Sequence, residues 1–243
     1  TGVTAPITLA GAVAQQHAEN LVGILIAQLV RPGLPMVYHS RISVADMRSG
    51  ASLWGHHGVG LTGAATAEIA RRCGLPSNVY GLSTSAKSPE VQSGLEKAVN
   101  ALVPALAGAD VLGGAGSLAD IMTVSAEQVV IDNEILGTIL RVREGISVNE
   151  SEFAYEAIEA VVAKEEETFL TTEHTLQHFR QQWVGNLRDV LGWDAWEKNG
   201  SRGMMEHARS KVKEILAQPP PPDPDGMREI PAILAAAERE SAG

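Results

Sequence analysis

Apolar residues from Gly11 to Val30 recur at mixed three- and four-residue steps (Val13, Leu21, Ile24, Leu25, Leu29), which predicts a packed helix ended by the RPG at 31–33. The pattern then shortens. LPMVYHS at 34–40 reads as a strand, and DMRSG with the Gly-, Trp- and His-rich stretch to Gly60 reads as its loop. Leu61–Cys73 is a second helix stopped by Gly74, and Val79, Tyr80 and Leu82 mark the next strand, followed by the loop GLSTSAK. Pro89–Ala107 makes a third helix and ADVLGGAG at 109–116 a third strand. Ser125 then caps a helix to about Arg143, with Gln128 at the capping-box position and Gly145 as its stop. Ser151–Val162 is a shorter helix, Thr168–Thr171 a last strand or extended piece, and Thr172–Gln182 a helix beyond it.

Strand starts near 34, 76 and 109, with one helix between successive strands, are the signature of βαβ units on a parallel sheet. Three or four such strands are too few for a closed parallel barrel, which needs eight, so the α/β pattern reads as half of a (β/α)8 TIM barrel. A complete doubly wound sheet is the alternative, but a phosphate-binding glycine motif after its first strand is missing, and GGAG at 113–116 only imitates one. From Trp183 the texture changes to polar helices with Trp193 and Trp196 expected to cluster with it. PPPPDPDG from residue 219 interrupts that texture before a terminal helix over Met227–Glu240. The expected organisation is a half barrel over 1–182, a helical extension over 183–218, and a proline-rich linker with its terminal helix over 219–243.

With 243 residues and 44% hydrophobic composition, the chain has material for a sizeable core. A net charge of −10, with no more than two basic residues in a row, disfavours nucleic acid and anionic membrane surfaces as partners. The longest apolar stretch, Leu21 to Val30, is too short to span a bilayer and the opening does not resemble a signal peptide, so a cytoplasmic location is expected. Cys73, the single cysteine, excludes an internal disulfide and reads as a small buried residue ending a helix. His39, His56 and His57 have no third ligand at metal spacing, so no metal site is expected. TGVTAPITLAG opens like the middle of a strand-to-helix loop, which suggests part of a longer protein.

Six strings together resemble one family: TAPITLAG at 4–11, AQLVRPGLPMVYHS ending at Ser40, DMRSG at 46–50, GLSTSAK with the QSGLEK helix, IDNEI at 131–135 and FLTTEHT at 169–175. They are similar, in collinear order over about residues 1–180, to the carboxyl half of the trimethylamine methyltransferase family, corrinoid-dependent enzymes built on a TIM barrel and about twice this length. The resemblance implies methyl transfer from a methylated amine to the cobalt of cobalamin (a corrinoid) carried by a partner protein, with no cofactor bound directly. Founding members carry pyrrolysine in the region that looks like Tyr80 to Lys87, and this chain has only ordinary residues there. A quaternary ammonium already has a neutral amine as leaving group, so the resemblance implies a betaine-type substrate rather than trimethylamine. Where the family has a small Gly-rich turn before FLT, this chain has KEEE at 164–167.

A quaternary ammonium offers no N–H, so its recognition calls for aromatic faces. Tyr38, Trp54 and Tyr80 are candidates from strand ends and a following loop, though a strand tyrosine can equally fill the interior; Ser83 of the GLSTSAK loop is grouped with them as a substrate contact. Lys87 can pair with a substrate carboxylate, form a Schiff base as in a TIM-barrel lyase or aldolase, or simply cap its loop in solvent. His174 in FLTTEHT is the candidate catalytic residue, able to hold substrate or move a proton, or alternatively to bond a neighbouring carbonyl. Asp132 and Glu134, two apart on a helix, are expected on different faces, with one at a loop or partner and the other in solvent. Tyr38, Tyr80, Lys87 and His174 are expected to converge at the carboxyl ends of the strands. Open edges near residues 1–8 and 168–171 would favour a homo-oligomer, and a non-catalytic truncated subunit is a further reading.

Overall fold

The computed structural model describes residues 1–164, 167–219 and 230–241. The proline run from residue 220, the start of the terminal helix at Met227, and the middle of KEEE lie outside the described residues. The first elements are α1 (Leu9–Val30), β1 (Tyr38–His39), an antiparallel pair β2 (Val44–Ala45) and β3 (Ser52–Leu53), and α2 (His57–Arg72). They are followed by β4 (Ser77–Tyr80), α3 (Val91–Leu106), β5 (Val111–Gly113), a second antiparallel pair β6 (Ser117–Leu118) and β7 (Thr123–Val124), and α4 (Ala126–Glu144). Strands β1, β4 and β5 form one parallel sheet in that order, with one α-helix between successive strands, as the alternation predicts.

Strand alternation gives this sheet two different faces. Ser77 and Val79 are buried while Asn78 and Tyr80 are only partly so, and the parallel pairing sets Tyr38 opposite Ser77 and His39 opposite Asn78. Tyr38, Ser77 and Val79 therefore turn to the helices, where Val79 packs with Ala67 of α2 and Ala109. The other face carries His39, Asn78 and Tyr80. Helices α2 and α3 approach closely because Gly60 lacks a side chain: a Cβ there would stand 3.0 Å from the Asn100 Cα. Leu82, Ala101, Ala105 and Ile139 fill the space between α3 and α4.

Inside that layer a charge pair is fully buried. Lys97 Nζ donates to Asp132 Oδ2 at 2.7 Å and to the Leu82 carbonyl at 3.0 Å, and both side chains have 0% exposure. Asp132 also accepts from the Gly116 amide and from Gln128 Nε2, each at 2.7 Å. Burial pushes the lysine down and the carboxyl up from their ordinary pKa values, and their mutual contact opposes both shifts. The pair ties the chain just past β4 and β5 to two helices.

Several expectations are corrected. Gln128 stands at the third helical position after the Ser125 cap, but its side chain serves Asp132 instead of closing a capping box. Glu134 is buried like Asp132, because α4 packs on two sides: against α3, and against the extension, where Ile131 meets Leu187 and Ala208. Glu134 accepts from Asn186 N and Arg188 Nε, so it anchors the extension instead of facing solvent. Cys73 is exposed, since it follows the last buried turn of α2. The helix expected at 151–162 is two, α5 (Glu150–Phe153) and α6 (Tyr155–Val162), separated by left-handed Ala154.

Phe169–Thr171 is a 3-10 turn, not a strand, because the Thr168 and Thr172 hydroxyls bond nearby backbone groups and curl the chain. Residues 1–8 form no strand either, so neither expected sheet edge exists there. The exposed side of β1 is instead closed by the Asn20 carboxamide, which both donates to and accepts from the His39 backbone. Beyond lie α7 (Glu173–His178), a 3-10 turn at Phe179–Gln181, α8 (Trp193–Lys198), α9 (Met204–Ala217) and α10 (Ile230–Ser241). Trp193 and Trp196 pair, whereas Trp183 packs at Gly137 under the Arg188 guanidinium.

Replacing Lys97 by Met leaves Asp132 as an uncompensated buried charge and should lower the unfolding free energy by about 3–5 kcal/mol in denaturant titrations. The double variant Lys97→Met, Asp132→Leu should recover most of that loss. A single-variant cost below about 1 kcal/mol would show that the pair is not an anchor.

Candidate substrate-binding site

The parallel register continued past β1 brings Arg41 level with Tyr80, and Tyr80 is paired with Gly113 of β5. These three positions form one row at the carboxyl end of the sheet, on the face away from the helices. The Arg41 guanidinium carbon lies 4.6 Å above the Tyr80 ring centroid, and Trp54 leans on that ring at 5.2 Å with a 56° tilt. Glycine is what leaves the ring its space: at Gly114, where φ is +102°, a Cβ would stand 3.0 Å from Tyr80 Cε1 and 2.7 Å from the Leu82 carbonyl oxygen.

Trp54 is held by its own backbone. Its N–H donates to Asp120 Oδ1 at 3.0 Å and its carbonyl accepts from the fully buried Ser83 hydroxyl at 2.8 Å. Asp120 Oδ1 also accepts from Ser85 Oγ at 2.5 Å, and Asp120 Oδ2 from Lys87 Nζ at 3.3 Å. Glu96 of α3 accepts from Thr84 Oγ1 and Ser85 N, fixing the other side of the GLSTSAK loop. Ala119, Asp120 and Ile121 are three successive residues in the left-handed region, with φ of 50°, 57° and 66°. Each costs roughly 1–2 kcal/mol, so they persist because the loops are bonded across, Ala119 N to Ala86 O and Asp120 N to Thr84 O.

Of the four residues expected to converge, only Tyr80 and Lys87 are linked, through Trp54 and Asp120, and Ser83 joins them by its bond to the Trp54 carbonyl. Lys87 is exposed and engaged with Ser85 O and Asp120, which matches its reading as a loop lysine and lacks the apolar enclosure of a Schiff-base site. Tyr38 does not join them: it is wholly buried on the helix side, its hydroxyl 2.8 Å from His17 Nδ1, and burial pushes its phenol up to about 12. His174 sits on α7, at no strand end, stacked on His178 at 4.4 Å. It lines a separate cavity of about 660 Å³ together with Glu150, Tyr155, Thr172 and His178. Burial and the neighbouring Arg41 lower the His39 pKa and favour its neutral form, and His56 caps α2 through Nδ1. Among the described residues no group of His, Cys, Asp and Glu is arranged to hold a metal ion.

Sequence reasoning missed Arg41 and Asp120. The parity of strand alternation, two residues past His39, was the available signal for Arg41; Asp120 follows no local pattern, since the loop pairing that holds it is long-range.

A sequence model of the family described as trimethylamine methyltransferase (MTTB) matches residues 1–241. The trimethylamine methyltransferase MttB2 of Methanosarcina mazei is 37% identical over 241 residues, covering 98% of this chain and 48% of that protein. MttB of Methanosarcina barkeri is 36% identical over 245 residues, covering 100% of this chain and 49% of it. A glycine betaine methyltransferase of Desulfitobacterium hafniense is 34% identical over 243 residues, covering 98% of this chain and 50% of that protein. The chain thus spans about half the length of the curated relatives it matches.

Asp120→Ala removes the acceptor of the Trp54 amide and the Ser85 hydroxyl, and should lower the unfolding free energy by about 1–3 kcal/mol. Hydrogen exchange should report lost protection at the Trp54 amide. Unchanged protection there would mean that Asp120 does not position Trp54.

Proposed function

The chain belongs to the trimethylamine methyltransferase family, and on that premise we propose that it supplies the carboxyl half of a TIM barrel that transfers a methyl group from a quaternary amine such as a betaine to a corrinoid protein. Residues 1–182 are the half barrel and 183–218 a helical extension in this reading. What supports the barrel is a parallel sheet with helices packed on one face and Arg41 over Tyr80 at the strand ends of the other. Exposed apolar residues of α1, including Leu21, Leu25 and Leu29, are consistent with a surface that further chain or a second copy covers.

The observation that carries the functional reading is the Trp54–Tyr80 pair at the strand ends. Two aromatic rings tilted at one another present π faces to a trimethylammonium group, which needs no hydrogen-bond acceptor. Ser83 and Asp120 hold Trp54 in place, and Lys87 secures the loop. The acceptor, a corrinoid on a separate protein, is a substrate and not a resident group of this chain. In the reaction the methyl carbon–nitrogen bond breaks with its electron pair leaving on nitrogen, and the acceptor supplies the pair for the new bond. A quaternary amine departs neutral, so no residue has to protonate it; this is the reason a betaine is preferred to trimethylamine in a pocket without pyrrolysine. Tyr38, wholly buried, and His174, in its own cavity, stand outside the proposed contact set.

Trp54→Leu and Tyr80→Leu keep apolar area but remove a π face, and should each weaken quaternary-amine binding about 2-fold to 30-fold in calorimetric titrations. The native-length protein should demethylate a betaine when given reduced cobalamin and leave trimethylamine untouched. Turnover of trimethylamine with no turnover of any quaternary amine would contradict the substrate assignment.

A further inference from the structure

Among the described residues Arg41 is a cation without an anion. Among the described residues no carboxylate lies within ion-pair distance of it, whereas Lys87, Lys97 and Arg188 each have one. Its one hydrogen bond there runs from Nη1 to the Ser40 carbonyl at 2.8 Å, which leaves most of a five-donor guanidinium fork uncommitted. The side chain is nonetheless held in place, by that bond and by the Tyr80 ring beneath it. It borders a cavity of about 440 Å³ between α1 and residues 36–43. Glu19, an acidic residue on the wall of that cavity, is engaged by Gln15 instead.

Resting on the reading of this face as the substrate site, we propose that Arg41 binds the carboxylate of the substrate and thereby selects quaternary amines that carry one. The pairing is that of a planar fork with a planar carboxylate, made by two parallel N–H donors. Lys87, a second cation of the strand-end loops, is already taken by Asp120 and the Ser85 carbonyl. Selection also works by exclusion. Arg41 already occupies one face of Tyr80 with positive charge, so a bare tetraalkylammonium approaching the same ring meets a like charge. A zwitterion brings the anion that neutralises the guanidinium, and its ammonium end can then use Trp54 and Tyr80.

Two probes separate these effects: tert-butylacetate, which copies the shape of glycine betaine and keeps the carboxylate without the cation, and tetramethylammonium, which keeps the cation without the carboxylate. Binding of both is measured by calorimetry to the native-length protein and to its Arg41→Gln and Arg41→Lys variants. Arg41→Gln should weaken tert-butylacetate about 10-fold to 100-fold, Arg41→Lys should fall between it and the wild type, and Arg41→Gln should bind tetramethylammonium at least as tightly as the wild type. Equal loss of both probes, or unchanged tert-butylacetate binding, or no binding of it by the wild type, would overturn the assignment. If Arg41→Gln does not fold, the lysine variant decides on the same two probes. Arg41-dependent tert-butylacetate binding in a protein that demethylates no amine would leave this assignment standing and remove the methyltransferase reading alone.

Discussion

Burying a lysine ammonium and an aspartate carboxylate together is worthwhile only where geometry repays the loss of water, and here the geometry does so at one point under the strand ends. Lys97 reaches from α3, Asp132 from α4, and between them they collect the Leu82 carbonyl, the Gly116 amide and Gln128. Removing either partner would strand the other in a space filled by Leu82, Ala101 and Ile139. The consequence is positional. The loops that follow β4 and β5 are fixed to the helical layer, and these are the loops on which Ser83, Ser85, Gly114 and Asp120 stand.

The second constraint is parity. In a parallel sheet whose strands pair in fixed register, residues two apart share a face, so Asn78 and Tyr80 share one and Ser77 and Val79 the other. Helices cover the Ser77 face. The Tyr80 face carries Arg41 and Trp54 instead, and Gly113 and Gly114 keep bulk away from the ring. Strain at Ala119–Ile121 is the counterpart on the loop side: a backbone shape that L-residues avoid is held by bonds to the GLSTSAK loop and in return presents Asp120 to Trp54.

Much of this was legible in the sequence, for physical reasons that differ by element. Helices α2 and α3 announce themselves by periodicity, α1 by its long apolar run before RPG, and α4 by Ser125 and Gly145 at its ends; the three strands by short β-branched and aromatic runs followed by glycine or polar turns. Phe169–Thr171 misled because strand-forming residues make a strand only when a partner edge is present, and threonine hydroxyls there bond their own backbone. Glu134 misled because a helix with one buried face cannot hide two residues two apart, whereas α4 is buried on two sides. Lys97 was invisible since nothing in QSGLEK marks a lysine for zero exposure, whereas strand parity puts Arg41 on the face of His39 but leaves out the register that brings it to Tyr80, thirty-nine positions away.

Everything proposed for function depends on substrate sitting at the row of Arg41, Tyr80 and Gly113 with Trp54. A crystal structure of the native-length protein with a betaine or tert-butylacetate bound tests it directly. Electron density for the ligand is expected at the carboxyl end of β1, β4 and β5, its carboxylate on Arg41 and its bulky end against Trp54 and Tyr80. Density in the cavity that His174 lines with Tyr155 and Thr172, with the strand-end row empty, would contradict it.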